Sequence, residues 1–259
     1  MPGRMAGSGY SGPPKLVVFG GRGFVGSHVC AEAVRQALGV VAISRAGTPP
    51  LSREPWVGGV TWARGNALEP QTFLPHLEGA EAVVSCIGGF GTQEEMLRVM
   101  RGGVVVLTNG AANVAVIEAA LAAGVKRFVL ISAHIPNIPG IESVLGGYVH
   151  GKRQAEDALR AAFPTTGVAL RPSIIYGDRA VSQGLTLPLG LLFQPVEGLI
   201  ERLGPRARAV AEGVPFLGAA LLPPVSVQAV ARAAVRAATD LAVPGGVIDV
   251  WELSASYKG

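Results

Sequence analysis

The stretch VVFGGRGFVG, residues 17–26, decides how the rest of the sequence is interpreted. Its apolar, largely β-branched start is typical of a strand that is buried on both faces. Glycines then follow at positions 20, 21, 23 and 26, and the last three have the spacing G-x-G-x-x-G. Placed between a strand and a helix, that spacing predicts a loop that binds the pyrophosphate of a dinucleotide. The alternative is a glycine-rich turn that holds no ligand.

Each glycine has a separate task in such a loop. The first ones let the chain turn sharply, the middle one lets the backbone approach a phosphate, and Gly26 lets the helix lie close to the sheet. The first turn of the helix adds unpaired N–H groups for the phosphates. We therefore expect the cofactor loop to consist of Gly20, Gly21, Arg22, Gly23, Phe24, Val25 and Gly26.

The rest of the chain continues the alternation of strand and helix. Further strands are expected at VVAISR (40–45), VTWARG (60–65), AVVSCIGG (82–89), KRFVLISAH (126–134), GVALRPSIIYG (167–177) and GGVIDVWEL (245–253). Helices are expected at SHVCAEAVRQAL (27–38), AANVAVIEAALAAG (111–124), GYVHGKRQAEDALRAA (147–162) and VSVQAVARAAVRAAT (225–239). This order predicts an α/β fold of the doubly wound Rossmann type, a parallel sheet with helices on both faces.

Two regions depart from the alternation. Residues 1–14 are rich in Gly, Pro and Ser, and we expect a flexible tail or, equally, the stub of an organelle transit segment. Residues 178–222 combine Pro, Gly and apolar runs, and we expect them to form a small substrate lobe or lid within a single domain of residues 15–259. The alternative for their apolar side chains is an ordinary lobe core.

Composition excludes several functions. The +4 net charge is scattered rather than gathered into a basic stripe, so no nucleic-acid partner is expected. No apolar run of about 18 residues free of charge, Pro or Gly occurs, which predicts a soluble or membrane-peripheral protein. Cys30 and Cys86 lack metal-ligand spacing, so we expect small buried side chains and no metal site.

The end of the second predicted strand indicates which nucleotide is bound. A site for NAD(H) places Asp or Glu there to bind the ribose hydroxyl, whereas this strand ends in Ile43-Ser44-Arg45. A guanidinium offers a charged, two-pronged donor that suits a 2′-phosphate. With Arg22 as a second clamp, the sequence favours NADP(H), and NAD(H) is the alternative. Arg45 as an ordinary exposed loop residue also stays open.

Two other loops are predicted to border the cofactor. Asn66 and its neighbour Ala67 follow the third strand, where a polar residue often lies against the adenine. Gly88 and Gly89 follow the fourth strand and allow close approach of the backbone. Short α/β loops contain Asn and Gly for structural reasons too, so both assignments are hypotheses.

A Y-x-x-x-K pattern, Tyr148 to Lys152, opens the helix after the fifth strand. Residues four apart share one helix face, so the ammonium is expected beside the phenol. A nearby positive charge lowers the pKa of a tyrosine and makes it a usable acid or base. The lysine is also placed to hold a ribose. The alternative is a structural Tyr–Lys pair.

Other polar residues complete the candidate catalytic set. Ser132, at the end of the fifth strand, is expected to hold the substrate oxygen, with Ser143 in reserve. Asn113 lies on the preceding helix without a definite role. We expect His134 and His150 to be structural, since His150 lies off the face that Tyr148 and Lys152 share.

Segments 147–160 and 167–179 contain Y-x-x-G-K-x-x-A-E and R-P-x-x-I-Y-G. With NGAANVAVIEAALAAGVKRFVLIS and PPVSVQAVARAAVRAA, they resemble the atypical and extended short-chain dehydrogenase/reductases. The resemblance covers nearly the whole chain after Lys15. It is strongest to the group that includes the Rossmann accessory subunit of mitochondrial complex I, dehydrogenase-like accessory proteins of coenzyme Q biosynthesis, and plant plastid relatives.

This resemblance implies a bound nicotinamide nucleotide, with Pro172 also at the cofactor, and an organellar location in the mitochondrion or plastid. A cytoplasmic location is the alternative. Two functions remain open. One is an oxidoreductase that acts on a carbonyl or alcohol of an apolar, quinone- or isoprenoid-like substrate. The other is a non-catalytic nucleotide-binding scaffold or assembly subunit of an organellar complex, docked to that complex or to a membrane surface.

Overall fold

A computed structural model of the chain describes residues 13–88, 110–136, 139, 141–182, 185–188, 208 and 221–257. The strands are β1 (Lys15–Phe19), β2 (Gly39–Ser44), β3 (Val60–Arg64), β4 (Ala82–Ser85), β5 (Arg127–Ile131), β6 (Gly167–Leu170), β7 (Ile175–Tyr176), β8 (Asp178–Ser182), β9 (Leu185–Pro188), β10 (Val225–Ser226) and β11 (Gly246–Ile248). The α-helices are α1 (Phe24–Arg35), α2 (Leu74–Leu77), α3 (Ala112–Ala122), α4 (Ile141–Ala162), α5 (Val227–Thr239) and α6 (Val250–Ser256). Short 3-10 helices cover Pro55–Gly59 and Pro70–Thr72.

Seven of these strands form one sheet in the order β11-β6-β5-β4-β1-β2-β3. Each neighbouring pair is parallel, which confirms the doubly wound α/β prediction. Strand β1 is paired on both sides, and Phe19 lies opposite Ile43 of β2 and Ser85 of β4. The chain therefore leaves β1 at the point where the strand order reverses, and the loops after β1 and β4 lie side by side there. In open α/β sheets this is the place where ligands bind.

The sheet is covered on both faces. Alternate β1 side chains point to opposite faces, so that Leu16 and Val18 belong to one apolar cluster and Val17 and Phe19 to the other. The first cluster includes the buried faces of α1 and α5, and the second includes those of α3 and α4. The near-continuous apolar composition of the strands follows from this double burial.

Most predicted elements are confirmed with shifted ends, but the strand expected at 167–177 is wrong beyond Leu170. There β6 ends, and β7 pairs with β10 outside the seven-stranded sheet, because Pro172 has no N–H to continue the ladder. Helix α1 begins at Phe24, directly after the glycine loop, and α4 begins at Ile141. The expected last strand is wrong beyond Ile248 because residues 250–256 form α6. Asp249 causes the change: its carboxylate accepts hydrogen bonds from the backbone N–H groups of the first turn, at 2.9 Å.

The predicted lobe of residues 178–222 falls largely outside the described residues, as does nearly all of the predicted tail, residues 1–14. Within the lobe region, Asp178–Ser182 and Leu185–Pro188 pair as an antiparallel hairpin. The division into tail, domain and lobe therefore stays a prediction. Among the helices that the structure describes, none combines the length and apolar character needed to cross a membrane.

A buried arginine joins the sheet to the end of α5. Arg127, at the start of β5, is 4% exposed. Its Nε donates to the Ala237 carbonyl at 2.8 Å, and a terminal guanidinium nitrogen donates to the Val243 carbonyl at 2.7 Å. Since carbonyls near a helix C-terminus lack intrahelical partners and carry partial negative charge, the cation stabilises this helix end.

We expect Arg127→Met to lower the free energy of unfolding by about 2–3 kcal/mol, because buried carbonyls lose charged donors while the side-chain volume is nearly kept. Chemical denaturation followed by circular dichroism measures the change. Arg160→Met is the matched control, since Arg160 is exposed and forms its ion pair with Asp157, one turn away on the same helix. Equal losses in the two variants would contradict the anchoring role.

Candidate nucleotide-binding and catalytic site

The glycine loop between β1 and α1 is closely packed at three of its four glycines. Gly20 has a φ of +74°, and a Cβ there would lie 3.0 Å from the Cys86 carbonyl oxygen. A Cβ at Gly21 would lie 2.7 Å from the Cβ of Ala42, and one at Gly26 would lie 2.2 Å from the Gly20 carbonyl oxygen. The sequence therefore needs glycine at these positions to let α1, β2 and the β4 loop approach the end of β1.

Gly23 differs from the other three. Its φ of −74° suits any residue, it is exposed, and a Cβ there would meet only the Gly20 carbonyl oxygen, at 3.2 Å. A side chain at position 23 would meet little of the protein itself, so packing does not explain the glycine. Its absence of a side chain leaves room for a ligand. Gly23 is also the N-cap of α1, and among the described residues no side chain caps this helix start and no acidic residue lies in its first turn. These features suit a pyrophosphate.

The two arginines predicted to select the nucleotide both lie at the exposed surface beside this loop. The Arg22 Nε donates to the Pro49 carbonyl at 3.2 Å, which holds the side chain over the loop that follows β2. Arg45 begins that same loop. Ser44 is engaged locally, because its hydroxyl oxygen accepts the Gly47 N–H at 3.1 Å. The geometry thus brings Arg22 to the loop that Arg45 begins, while Ser44 stabilises the turn.

The loop after β3 uses its asparagine for its own structure. The Asn66 side-chain amide donates to Glu69 at 2.7 Å, and its carbonyl oxygen accepts the Leu68 N–H at 3.2 Å. Asn66 and Ala67 are half-buried. A contact between Asn66 and an adenine stays a prediction, and it requires the side chain to share or exchange these partners.

The loop after β4 is held by a residue pair that the sequence alone did not reveal. The Ser85 hydroxyl donates to the Asn113 side-chain oxygen at 2.6 Å, and the Asn113 amide nitrogen donates to the Ile87 carbonyl at 3.2 Å. Both side chains are fully buried. Asn113 therefore fixes the backbone path beside the glycine loop. Gly88 has a φ of +106°, a backbone conformation that favours glycine, and Gly89 lies outside the described residues.

Tyr148 and Lys152 share one face of α4, as the spacing predicts. The Lys152 Nζ lies 5.8 Å from the centre of the Tyr148 ring and donates a hydrogen bond to the Ile131 carbonyl at 2.7 Å. Lys152 is 3% exposed, and this burial lowers its pKa to about 8. Burial also raises the pKa of Tyr148 to about 12. The expected lowering of the Tyr148 pKa by Lys152 is thus wrong, since loss of water outweighs the neighbouring charge.

Ser132 lies at the end of β5 and is buried. Its hydroxyl donates to the carboxylate of Glu156, which also accepts hydrogen bonds from Arg171. Sequence reasoning missed Glu156 as part of the site. The signal was present, since Glu156 follows Lys152 by four residues and so continues the face of α4 that already carries Tyr148.

Cys86 connects the two halves of the site. Its carbonyl oxygen lies against Gly20, and its side chain is close enough to Lys152 for each group to affect the pKa of the other. Burial raises the pKa of the Cys86 thiol to about 12, which keeps it neutral. Cys86 therefore contacts the glycine loop through its backbone and lies near Lys152 through its side chain.

The remaining candidates lie around this centre. The His134 N–H donates to the Pro172 carbonyl at 2.8 Å, which joins the loops after β5 and β6, and the His150 side chain is exposed. The Ser143 side chain lies outside the described residues. Among the residues that the structure describes, no group of three or more His, Cys, Asp or Glu side chains is arranged to hold a metal ion.

Two features define a dinucleotide-binding Rossmann protein. The glycine loop lies where the strand order of the parallel sheet reverses, and a phosphate can approach the backbone at Gly23, where α1 begins. Residues 20–188 match the family described as NAD(P)H-binding, and the chain belongs to that family. This membership and the relatives below confirm the resemblance to atypical and extended short-chain dehydrogenase/reductases.

The matches to this chain include two proteins of related sequence and one solved structure of similar fold. An uncharacterized chloroplastic protein of Arabidopsis thaliana is 39% identical over 226 residues, 87% of this chain and 72% of that protein. MIOREX complex component 2 of Saccharomyces cerevisiae is 39% identical over 79 residues, 29% of this chain and 28% of that protein. The crystal structure of the Bordetella bronchiseptica enzyme WbmH with NAD+ has a TM-score of 0.58 at 21% identity, covering 91% of this chain and 74% of that one. That structure shows a shared fold.

The different demands on Gly23 and Gly26 give a paired test of the nucleotide site. Gly26→Ala should lower the free energy of unfolding by more than about 3 kcal/mol, because its Cβ would overlap the Gly20 carbonyl oxygen. Gly23→Ala should cost less than about 1 kcal/mol and yet weaken NADPH binding about tenfold or more. Denaturation and fluorescence titration measure the two effects. Unchanged affinity in Gly23→Ala would place the pyrophosphate elsewhere.

Proposed function

We propose that this protein is an NADP(H)-dependent oxidoreductase that acts on a carbonyl or alcohol group of an apolar small molecule. The observation that supports this proposal is the position of Cys86. Its carbonyl oxygen lies against Gly20, and its side chain lies near the buried Lys152, which shares a helix face with the half-buried Tyr148. A protein that only stores a nucleotide has a use for Lys152 at the ribose but no need of the Tyr148 phenol beside it.

The chain offers a donor for each part of the nucleotide. Backbone N–H groups at the start of α1, next to Gly23, face the pyrophosphate. Arg22 and Arg45 lie at the loop after β2, where the 2′-phosphate of NADP(H) is expected, and no carboxylate ends β2. Lys152 has three N–H donors, of which one is given to the Ile131 carbonyl, and the others suit a ribose.

Tyr148 is the proposed proton donor. When bound, the nicotinamide supplies the hydride. Because burial raises the pKa of Tyr148 to about 12, the phenol is fully protonated at neutral pH. An alkoxide is a stronger base than a tyrosinate, so proton transfer from Tyr148 to a developing alkoxide is downhill. The adjacent Lys152 ammonium stabilises the tyrosinate that is left, which favours the direction of carbonyl reduction.

An apolar substrate is supported by the surface beside the site. Ile174 follows Pro172 at the carboxyl edge of the sheet and is 62% exposed, although it is a large β-branched residue. An exposed apolar side chain at this edge of the sheet is a natural contact for a hydrocarbon portion of a substrate. Quinone- or isoprenoid-like carbonyl compounds are therefore the first substrates to test.

A second candidate function comes from the relatives. One of them carries the name of a complex component and another is described as chloroplastic. The alternative is thus an organellar protein in which the nucleotide stabilises a scaffold or assembly subunit, at a partner complex or a membrane surface. We propose an organellar location for either function.

Tyr148→Phe separates the two functions. For the oxidoreductase we expect NADPH-dependent turnover of a quinone and aldehyde panel to fall by at least about 100-fold, because the proton donor is lost. NADPH affinity should change less than about threefold. The matched control is His150→Phe, an exposed position on the same helix. Wild-type protein that binds NADPH but turns over none of the panel favours the scaffold, and undiminished turnover in Tyr148→Phe refutes the assigned role.

The choice of nucleotide is tested at Arg45. Arg45→Gln should weaken NADPH by about tenfold or more, as expected for loss of a charged hydrogen bond, and leave NADH nearly unchanged. Arg53→Gln is the control, because Arg53 is an exposed arginine eight positions further along the same loop region. Isothermal titration calorimetry gives both affinities. Wild-type protein that binds NADH as tightly as NADPH would overturn the preference.

A further inference from the structure

Glu156 is a buried carboxylate on α4 that binds one side chain from the loop after β5 and one from the loop after β6. It lies on α4 one turn beyond Lys152 and is 8% exposed. The Ser132 hydroxyl, at the end of β5, donates to its Oε1. Arg171, just after β6, donates from Nε at 3.0 Å to Oε1 and from a terminal nitrogen to Oε2. Since an unpaired buried carboxylate is very costly, this set of partners is what allows a charge at this position.

The bond to Glu156 also fixes what Ser132 can offer. A serine hydroxyl has a single proton to donate, and here that proton is directed at the Glu156 carboxylate. Ser132 therefore presents lone pairs, and no proton, to any other neighbour. The role expected from the sequence, in which Ser132 donates to the substrate oxygen, would require this bond to break.

Glu156 also contributes to the charge balance around Lys152. The groups that face or influence Lys152 are Tyr148 and Glu156 on α4 and Cys86 after β4. Arg171 forms an ion pair with Glu156, so its positive charge partly offsets the effect of the carboxylate on Lys152. Burial pushes the pKa of Lys152 down to about 8, and Glu156 is the main group that opposes this effect. Because Lys152 and Glu156 are four residues apart on one face of α4, the carboxylate lies one turn from the ammonium and favours its charged form.

We propose that Glu156 is the positioning residue of this site: one helical turn beyond Lys152 on α4, its carboxylate fixes Ser132 and Arg171 and balances the charge of the ammonium that would hold the ribose of the nucleotide. The part that concerns the ribose rests on the proposed function. The part that concerns Lys152 and its neighbours does not, because it is a property of the ligand-free protein.

The charge state of Lys152 can be measured directly because the chain has only four lysines. In protein labelled with ¹³C-lysine, Lys152→Met identifies the signal of Lys152, and a pH titration of the ligand-free protein gives its midpoint. Glu156→Gln removes the charge and keeps the shape. We expect it to lower the midpoint by about one pH unit, as loss of a nearby buried charge does. Asp157→Asn makes the same charge change at an exposed neighbour and should leave the midpoint in place.

Arg171→Met gives an independent result of opposite sign. Removal of the guanidinium leaves the Glu156 charge to act on Lys152 alone, so the midpoint should rise by about half a unit. General loosening of the fold would move the midpoints of both variants toward that of an exposed lysine. An unchanged or higher midpoint in Glu156→Gln overturns the proposal. If Glu156→Gln does not fold, the proposal is overturned by an unchanged or lower Lys152 midpoint in Arg171→Met.

NADPH affinity measured against pH tests whether protonated Lys152 holds the ribose of the nucleotide. In Glu156→Gln the loss of affinity at alkaline pH should begin about one unit earlier than in the wild type, in step with the Lys152 titration. A shifted titration with an unshifted affinity profile would refute the link to the ribose. Neither measurement depends on turnover, so a failure here is distinct from a failure of the proposed reaction, which Tyr148→Phe reports.

Discussion

Helix α1 crosses the end of β1 so closely that a Cβ at Gly26 would lie 2.2 Å from the Gly20 carbonyl oxygen. This approach fixes the direction of α1 and turns its first N–H groups toward the loop. Gly20 in turn lies against the Cys86 carbonyl, which sets the distance between the loops after β1 and β4. Nucleotide binding, the position of Cys86 and the neighbourhood of Lys152 all depend on this contact between backbones, which only glycine permits.

The second organising feature is a row of alternating charge, in which Lys152 and Glu156 are buried and Arg171 is partly exposed. Lys152, Glu156 and Arg171 follow one another with the carboxylate in the middle. Glu156 is satisfied by hydrogen bonds, whereas Lys152 is bound only to the Ile131 carbonyl among the described residues and feels Glu156 at a distance. The ion pair of Glu156 and Arg171 therefore has a structural role, and the role proposed for Lys152 at the ribose depends on the N–H donors that the Ile131 carbonyl does not take.

Much of the fold was predictable because its signals are local. Runs of β-branched residues, the spacing of the glycines and the alanine-rich periodicity of α3 and α5 each act within a few residues. Segment 245–253 shows where this approach fails. Its apolar residues are typical of a strand, but a single carboxylate at Asp249 captures the N–H groups of a helix start and ends the strand at Ile248.

The candidate site was predictable in part, for the same reason. Tyr148 and Lys152 share a helix face through spacing alone, so the sequence by itself determined that they would meet, just as it determined the glycine loop. The partners of Ser132 and Asn113 come from elements 24 and 28 residues away, and only the packing of the sheet brings them together. Burial likewise decided that the pKa of Tyr148 rises rather than falls, since loss of water depends on the whole fold and one neighbouring charge does not outweigh it.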